Sequence, residues 1–528
     1  MSLRFILTVS TLVLPVIPAP LQTQAPLFSP SETPEKHGPS LENARANAPH
    51  IFNAIHSSMR QWGSSLSHNG MSFFPARIPN NTHLYHGTHS PVAVTGMEWL
   101  AFEIEHAEIF ANSRWGRTPG NQPGEPGRPR RPGEPGGGRP PPPMELDWAE
   151  NLDEIYNMDD NDPDIMKGYL HIYRTTRPLT NLLYIDGMSA GKTPMGTLDT
   201  QDLVLRNSSD DNPIAGDYTR GQELCALGAE WGIEGFVRME MGFEIIFCEF
   251  SDGLELESAR QRPSVERQDY ETLNRFEVLR GAALRYPGIT AQRLKLDFSS
   301  MVSAFWYDLN LTNPEPEKND LPRLPVSDTK GLARMKRDVK MAFEESRVRG
   351  DGGNDWQGVV DMIVTRYSDR LQLMAGNDSS REAILTEIGV LLNLFVDYER
   401  FDIPTAIEKC SMHYLGAAVP RTASDRLIHE AILSVTNKIC SKLFHVRELL
   451  IGDEETADHS ALDESKSALK TLFDYLRWST WSECGKCAYD EICFVAIWPW
   501  GAVEDHEHPR CMKDDLLSSR HGYWEGGR

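Results

Sequence analysis

Gly168-Tyr169-Leu170-His171-Ile172-Tyr173-Arg174 alternates in the manner of a strand with one face turned to a core, and it sets the reading of everything around it. Leu182-Leu183-Tyr184-Ile185 follows as a short apolar run with the pattern of a buried strand, and Phe243-Glu244-Ile245-Ile246-Phe247-Cys248 is another. From about residue 329 the period becomes helical. Trp356, Val359, Val360, Ile363 and Tyr367 fall on one face, and Ile384, Ile388, Leu391 and Phe395 do so in a second segment. Ser379-Ser380-Arg381-Glu382 reads as a capping box that opens this second helix. Leu427 to Leu450 and Ala461 to Trp478 give a third and a fourth helix. The expected fold class is therefore α+β. A mixed sheet and helix domain spans 50–320, an all-helical domain 329–480, and a cysteine-rich cap 481–528.

Towards the N-terminus, a patterned region at about 50–113 precedes Arg117 to Pro143, where 17 of 27 residues are proline or glycine. Such a stretch buries too little apolar surface to fold, so 117–143 is read as a disordered insert. Glu145 to Asp164 then holds nine carboxylates and no Lys or Arg. Asp160, Asp162 and Asp164 alternate as in a calcium loop, but Ile165 stands where the turn glycine belongs, and a solvated acidic face is the better reading. Residues 26–48 read as a disordered lead-in. Before them, Met1 to Arg4 is short and positive, Phe5 to Ile17 is almost wholly apolar, and Ala19 and Ala25 are small, the layout of a signal peptide over 1–25. The apolar run is too short to span a bilayer, and no later run is long enough to do so.

Export agrees with the cysteines. Cys225, Cys248, Cys410, Cys440, Cys484, Cys487, Cys493 and Cys511 are even in number, and four bridges are the simplest outcome in an oxidising compartment. Cys225 and Cys248 flank one apolar region 23 positions apart and are expected to pair, as are the last four among themselves, with Cys410 and Cys440 as an interhelical tie. Sequons at Asn80, Asn207, Asn310 and Asn377 predict a glycoprotein. The net charge of -23 over 528 residues repels phosphate backbones and anionic membranes, which excludes nucleic acid as the primary ligand.

Several motifs admit a chemical and a plainer reading. Asp186 to Thr193 ends in Gly-Lys-Thr after a strand, yet Pro194 and Gly196 spoil the helix a phosphate loop requires. Gly187-Met188-Ser189-Ala190-Gly191 spells a nucleophile elbow, which offers a serine hydrolase using Ser189 as one reading and a glycine-rich turn as the other. Cys484, Cys487, Cys493 and Cys511 offer zinc ligands or two disulfides, and the oxidising compartment favours disulfides.

Leu84-Tyr85-His86-Gly87-Thr88, then Glu98-Trp99-Leu100-Ala101-Phe102 and Ala107 to Ala111, read as strand, glycine turn, strand and helix, and Arg238-Met239-Glu240-Met241-Gly242-Phe243-Glu244 comes later. In that order the blocks resemble the histidine-type ADP-ribosyltransferases over 84–250. The resemblance implies NAD as cofactor. His86 would hydrogen-bond the ribose, Gly87 would allow close approach, Trp99 or Phe102 would line the nicotinamide pocket, and Glu244 or Glu240 would stabilise an oxocarbenium-like transition state. It further implies that the strand carrying Glu244 lies beside the strand ending at His86. The same segments, with Tyr184 to Thr193 and Gly196-Thr197-Leu198-Asp199, are similar to a group of uncharacterised secreted proteins of filamentous fungi, which implies a compartment and no activity. Two functions remain: a non-catalytic extracellular protein that binds a protein or wall component, and an NAD-using or NAD-cleaving enzyme.

Overall fold

A computed structural model describes residues 38–111, 167–208, 216–263, 275–313, 321–452, 460–517 and 520–524, which lie in one compact unit, His37–Arg528. The signal-like segment 1–25, the insert 117–143 and the acidic run 145–164 fall outside the described residues.

The expected alternation builds one large sheet. Its strands are β1 (Ser72–Ile78), β2 (His83–Thr88), β3 (Glu98–Ala101), β4 (Tyr169–Thr175), β5 (Leu179–Ile185), β6 (Gly235–Met239), β7 (Phe243–Phe247), β8 (Leu254–Gln261), β9 (Lys295–Leu296) and β10 (Val302–Ser303). The order is β10-β1-β5-β6-β7-β3-β2-β4-β8, with β9 also paired to β1. Among the described residues only β5 and β6 run parallel, and the crossover between them carries the Asp217–Trp231 helix. β3 is inserted out of chain order between β7 and β2. It pairs with β7 over four residues but meets β2 only at Tyr85↔Ala101.

The centre of the sheet is apolar on both faces, since Phe243, Ile245, Ile246 and Phe247 are all buried. Each large apolar side chain so removed from water contributes about 1.5–3 kcal/mol. The Ile104–Phe110 helix lies over Gly87, where a Cβ would stand 2.0 Å from the Ala107 carbonyl oxygen. Gly87 thus lies inside a strand where a neighbouring backbone comes close, one of the two approaches, by ligand or by backbone, for which a glycine was expected there.

The helical half follows the predicted period. Its helices are Thr329–Arg349, Trp356–Ala375, Arg381–Leu392, Ile403–Met412, Ala423–Gly452 and Ser460–Leu476. Trp356, Val359, Val360, Ile363 and Tyr367 are buried together, as are Ile384, Ile388 and Leu391. The cap of Arg381–Leu392 is shifted by one residue from the expected box. Ser380 Oγ accepts from Ala383 N at 3.2 Å, while the Ser379 hydroxyl donates to the Leu373 carbonyl.

The lead-in expected over 26–48 is corrected in its described part. Ser40 accepts from Asn43 N to cap the Leu41–Ala46 helix, Ala44 is fully buried, and Ser40 N donates to Trp306 O at 3.0 Å. The Ala48–Ser57 helix then packs on the Ala423–Gly452 and Trp356–Ala375 helices. These short helices owe their stability to long-range contacts that a local composition does not reveal.

All four bridges form: Cys225–Cys248, Cys410–Cys440, Cys484–Cys493 and Cys487–Cys511. The last two clamp a small hairpin of β11 (Ile492–Phe494) and β12 (Arg510–Met512), so these four cysteines are not free to hold zinc. The sequon residues Asn80, Asn207, Asn310 and Asn377 are all exposed. Among the described residues no helix is long and apolar enough to cross a membrane.

Candidate functional site

Residues directly opposite in neighbouring strands share a face, and successive residues of one strand do not. The register Tyr85↔Ala101, Ala101↔Glu244 and Arg238↔Glu244 therefore puts Tyr85, Ala101, Glu244 and Arg238 on one face of the sheet. His86, one residue on from Tyr85, points to the other. Because β3 separates β7 from β2, the expected adjacency of the Glu244 and His86 strands does not occur.

His86 is engaged on its own face. It stands opposite His171 in β4, its ring meets Phe250 edge-on at 5.6 Å, and Nδ1–H donates to the Trp99 carbonyl at 2.7 Å. Burial lowers its pKa to about 4, so the ring is neutral at pH 7. Phe102 is engaged as well: it is buried, its N–H donates to Phe243 O, and Arg293 lies 5.7 Å from its ring. Trp99 does share the Glu244 face, tilted against Tyr218 at 6.0 Å. Ser189 is fully buried in the turn after β5, and its hydroxyl donates to Ile185 O at 3.0 Å. The residues after it form turns and then a π-helix, Thr200–Arg206, so the helix that presents a nucleophile elbow does not follow.

The two glutamates, by contrast, do meet. Glu240 occupies the turn between β6 and β7, Glu244 lies in β7, and His106 reaches them from the Ile104–Phe110 helix. His106 Nε2 stands 3.8 Å from Glu240 Oε2 and 3.9 Å from Glu244 Oε2. Lys192 Nζ donates to Glu240 Oε1 at 2.8 Å and lies 3.4 Å from Asp217 Oδ2. Arg238 Nε donates to Glu244 Oε1 at 2.7 Å, and its other nitrogens reach Gln201 Oε1 at 2.8 Å and both Asp217 oxygens at 3.2 Å. Glu103, just before the His106 helix, accepts from Phe243 N at 3.0 Å. Gly242 makes room for this approach: a Cβ there would fall 2.8 Å from His106 Nδ1 and 2.9 Å from Glu103 Oε2.

Burial opposes every charge in this centre, and the pairing decides which charges persist. Arg238 and Lys192 overcome burial at Asp217 and hold it at about 2. At Glu240, Lys192 and His106 outweigh burial and keep the carboxyl below its usual range. Burial prevails at Glu244 against Arg238, helped by the neighbouring Glu240, and pushes it up. Burial likewise raises Glu103 to about 7. His106 is raised because Glu240, Glu244 and Glu103 outweigh its desolvation. Two carboxyls pushed in opposite directions beside one imidazole are equipped to hold a proton or a cation between them.

Glu240, Glu244 and Trp99 were legible in the sequence, whereas His106, Lys192, Asp217 and Glu103 were not. A single histidine on a short helix has the look of a core residue, and Lys192 belongs to a Gly-Lys-Thr that Pro194 and Gly196 disqualify as a phosphate loop. No solved structure matches the chain. The uncharacterized protein YOR389W of Saccharomyces cerevisiae is 25% identical over 545 aligned positions, which cover 88% of this chain and 84% of that protein. The uncharacterized protein YPL277C of the same organism is 32% identical over 224 positions, 40% of this chain and 42% of that one. Residues 41–268, which contain β1 to β8 and every member of the buried charged centre, match the family described as the YPL277C N-terminal domain.

Proposed function

We propose that the chain is an exported, disulfide-braced N-glycoprotein that acts by binding an extracellular protein or wall component, not by turning over NAD. One observation carries the preference for binding. The charged centre most suited to chemistry is buried and paired within itself, with Glu240 on Lys192 and Glu244 on Arg238. Export is supported by the four bridges, the four exposed sequon asparagines and the apolar run Phe5 to Ile17 behind a positive start.

A second reading has a specific observation in its favour. Glu244 and Trp99 share one face of the sheet and Glu240 meets Glu244 at His106, so an NAD-cleaving site would use them with His106 in place of His86. One experiment separates the two readings. The chain is produced in a secreting eukaryotic host, and the medium protein is assayed for NAD cleavage and for retention on wall polysaccharide and extracellular protein. Binding without cleavage is expected. NAD cleavage that disappears in Glu244→Gln would replace this reading with the enzyme.

A further inference from the structure

We propose that His106, Glu240 and Glu244 form a buried site for one divalent first-row metal ion, zinc or manganese. Donor atoms of the three residues all lie within 4.8 Å of one another. Three points no further apart than that have a common point about 2.8 Å or less from each, at most about 0.6–0.8 Å beyond the roughly 2.0–2.2 Å of zinc–nitrogen and zinc–oxygen bonds. The imidazole does not close this gap itself, because its 3.8 and 3.9 Å approaches to the two Oε2 atoms are too long for hydrogen bonds. Lys192 and Arg238 take the other oxygen, Oε1, of Glu240 and Glu244, and so hold the carboxylates with Oε2 turned inward. That is the work of groups that orient metal ligands from behind.

A second observation points the same way. His106 is 3% exposed and Glu103 1%, yet among the described residues His106 Nδ1 and Glu103 Oε1 have no hydrogen-bond partner. The missing Cβ of Gly242 brings the ring and the carboxylate towards each other. Metal-binding histidines donate their second ring N–H to a carboxylate, and Glu103 is the carboxylate that flanks this ring across Gly242. With a metal on Nε2 and Glu103 on Nδ1, both unpaired groups are satisfied at once.

Charge agrees as well. Asp217, Glu240 and Glu244 face Lys192 and Arg238, whereas the cations nearest Glu103 are Arg285, itself paired with Glu105, and Arg293, which donates to the Phe102 carbonyl. A dication beside a neutral imidazole offsets the carboxylates in excess of Lys192 and Arg238. The donor set is one imidazole and two carboxylates without sulfur, which suits zinc and manganese. Asp217, with 28% of its side chain exposed, is the member of the centre most open to solvent.

The test uses the full secreted chain, produced with zinc and manganese in the medium, dialysed, and analysed for metal by mass spectrometry. About one zinc or manganese per chain is expected, falling at least tenfold in His106→Gln. A chelator should lower the wild-type Tm, and adding back zinc or manganese alone should restore it. If His106→Gln is not secreted, X-ray absorption of the wild-type protein decides: one imidazole in an otherwise oxygen shell supports the site, whereas sulfur or several imidazoles overturns it. Equal metal content in wild type and His106→Gln overturns it too. So does a wild-type chain that holds no metal, takes up neither ion when titrated and keeps its Tm in chelator.

Discussion

Acidification isolates the role of His86. In the folded chain burial holds this ring neutral down to a pKa of about 4, whereas in the unfolded chain it titrates near 6.5. The folded state therefore binds fewer protons than the unfolded state between those values. The stability tied to the neutral ring is present above about pH 6.5 and is lost as pH falls towards 4. Between pH 7 and 4.5 the loss comes to about 2.5 kcal/mol. Other buried histidines, His56 and His68 among them, are also lowered by burial and add to the total, so a difference measurement is needed. His86→Gln supplies it, since glutamine keeps an amide N–H for the Trp99 carbonyl and does not titrate. Urea unfolding followed by tryptophan fluorescence at pH 7 and 4.5 gives four free energies. The wild-type chain should lose about 2.5 kcal/mol more than the variant over that interval. Equal losses would show that His86 titrates normally and stands open to solvent, as a ligand-binding residue would.

Arg238→Met leaves Glu244 and part of Asp217 without their buried cation, so urea unfolding should show a loss of about 3–5 kcal/mol, much of it regained in Arg238→Met with Glu244→Leu. Cys410 and Cys440 close a loop of sequence separation 30, and replacing both by alanine should cost about 3–4 kcal/mol by the same measurement. Each of Asn80→Gln, Asn207→Gln, Asn310→Gln and Asn377→Gln should remove one endoglycosidase-sensitive step in mass from the secreted chain with little change in Tm. A wild-type chain already at its peptide mass would contradict this.

The helical half was readable because its buried positions repeat with the helix itself. Trp356 to Tyr367 form a stripe whatever packs against it, and Cys225 and Cys248 stood at a spacing that a strand and its covering helix bring together. The candidate site was less readable because strand order need not follow chain order. His86 and Glu244 each occupy strands that the sequence marks correctly, but the four residues of β3 lodge between them, and register then turns the two side chains to opposite faces. β1 hid for a related reason. It carries Pro75, which weakens a strand assignment, and it is tolerated where β9 and β10 pair only with the residues on either side of it.

The brief meeting of β2 with β3 divides the sheet mechanically. On one side lie β10, β1, β5, β6, β7 and β3, with ladders shared over several residues. On the other, β2, β4 and β8 form a long three-stranded ribbon with its own continuous pairing. Across the fault line run the Tyr85↔Ala101 pair and the His86 bond to the Trp99 carbonyl, with the Ile104–Phe110 helix laid over Gly87 like a splint. A ribbon so attached opens as a unit before the rest of the sheet, and its amides at Tyr85 and Leu170 should exchange together, well ahead of those at Val237 and Ile245.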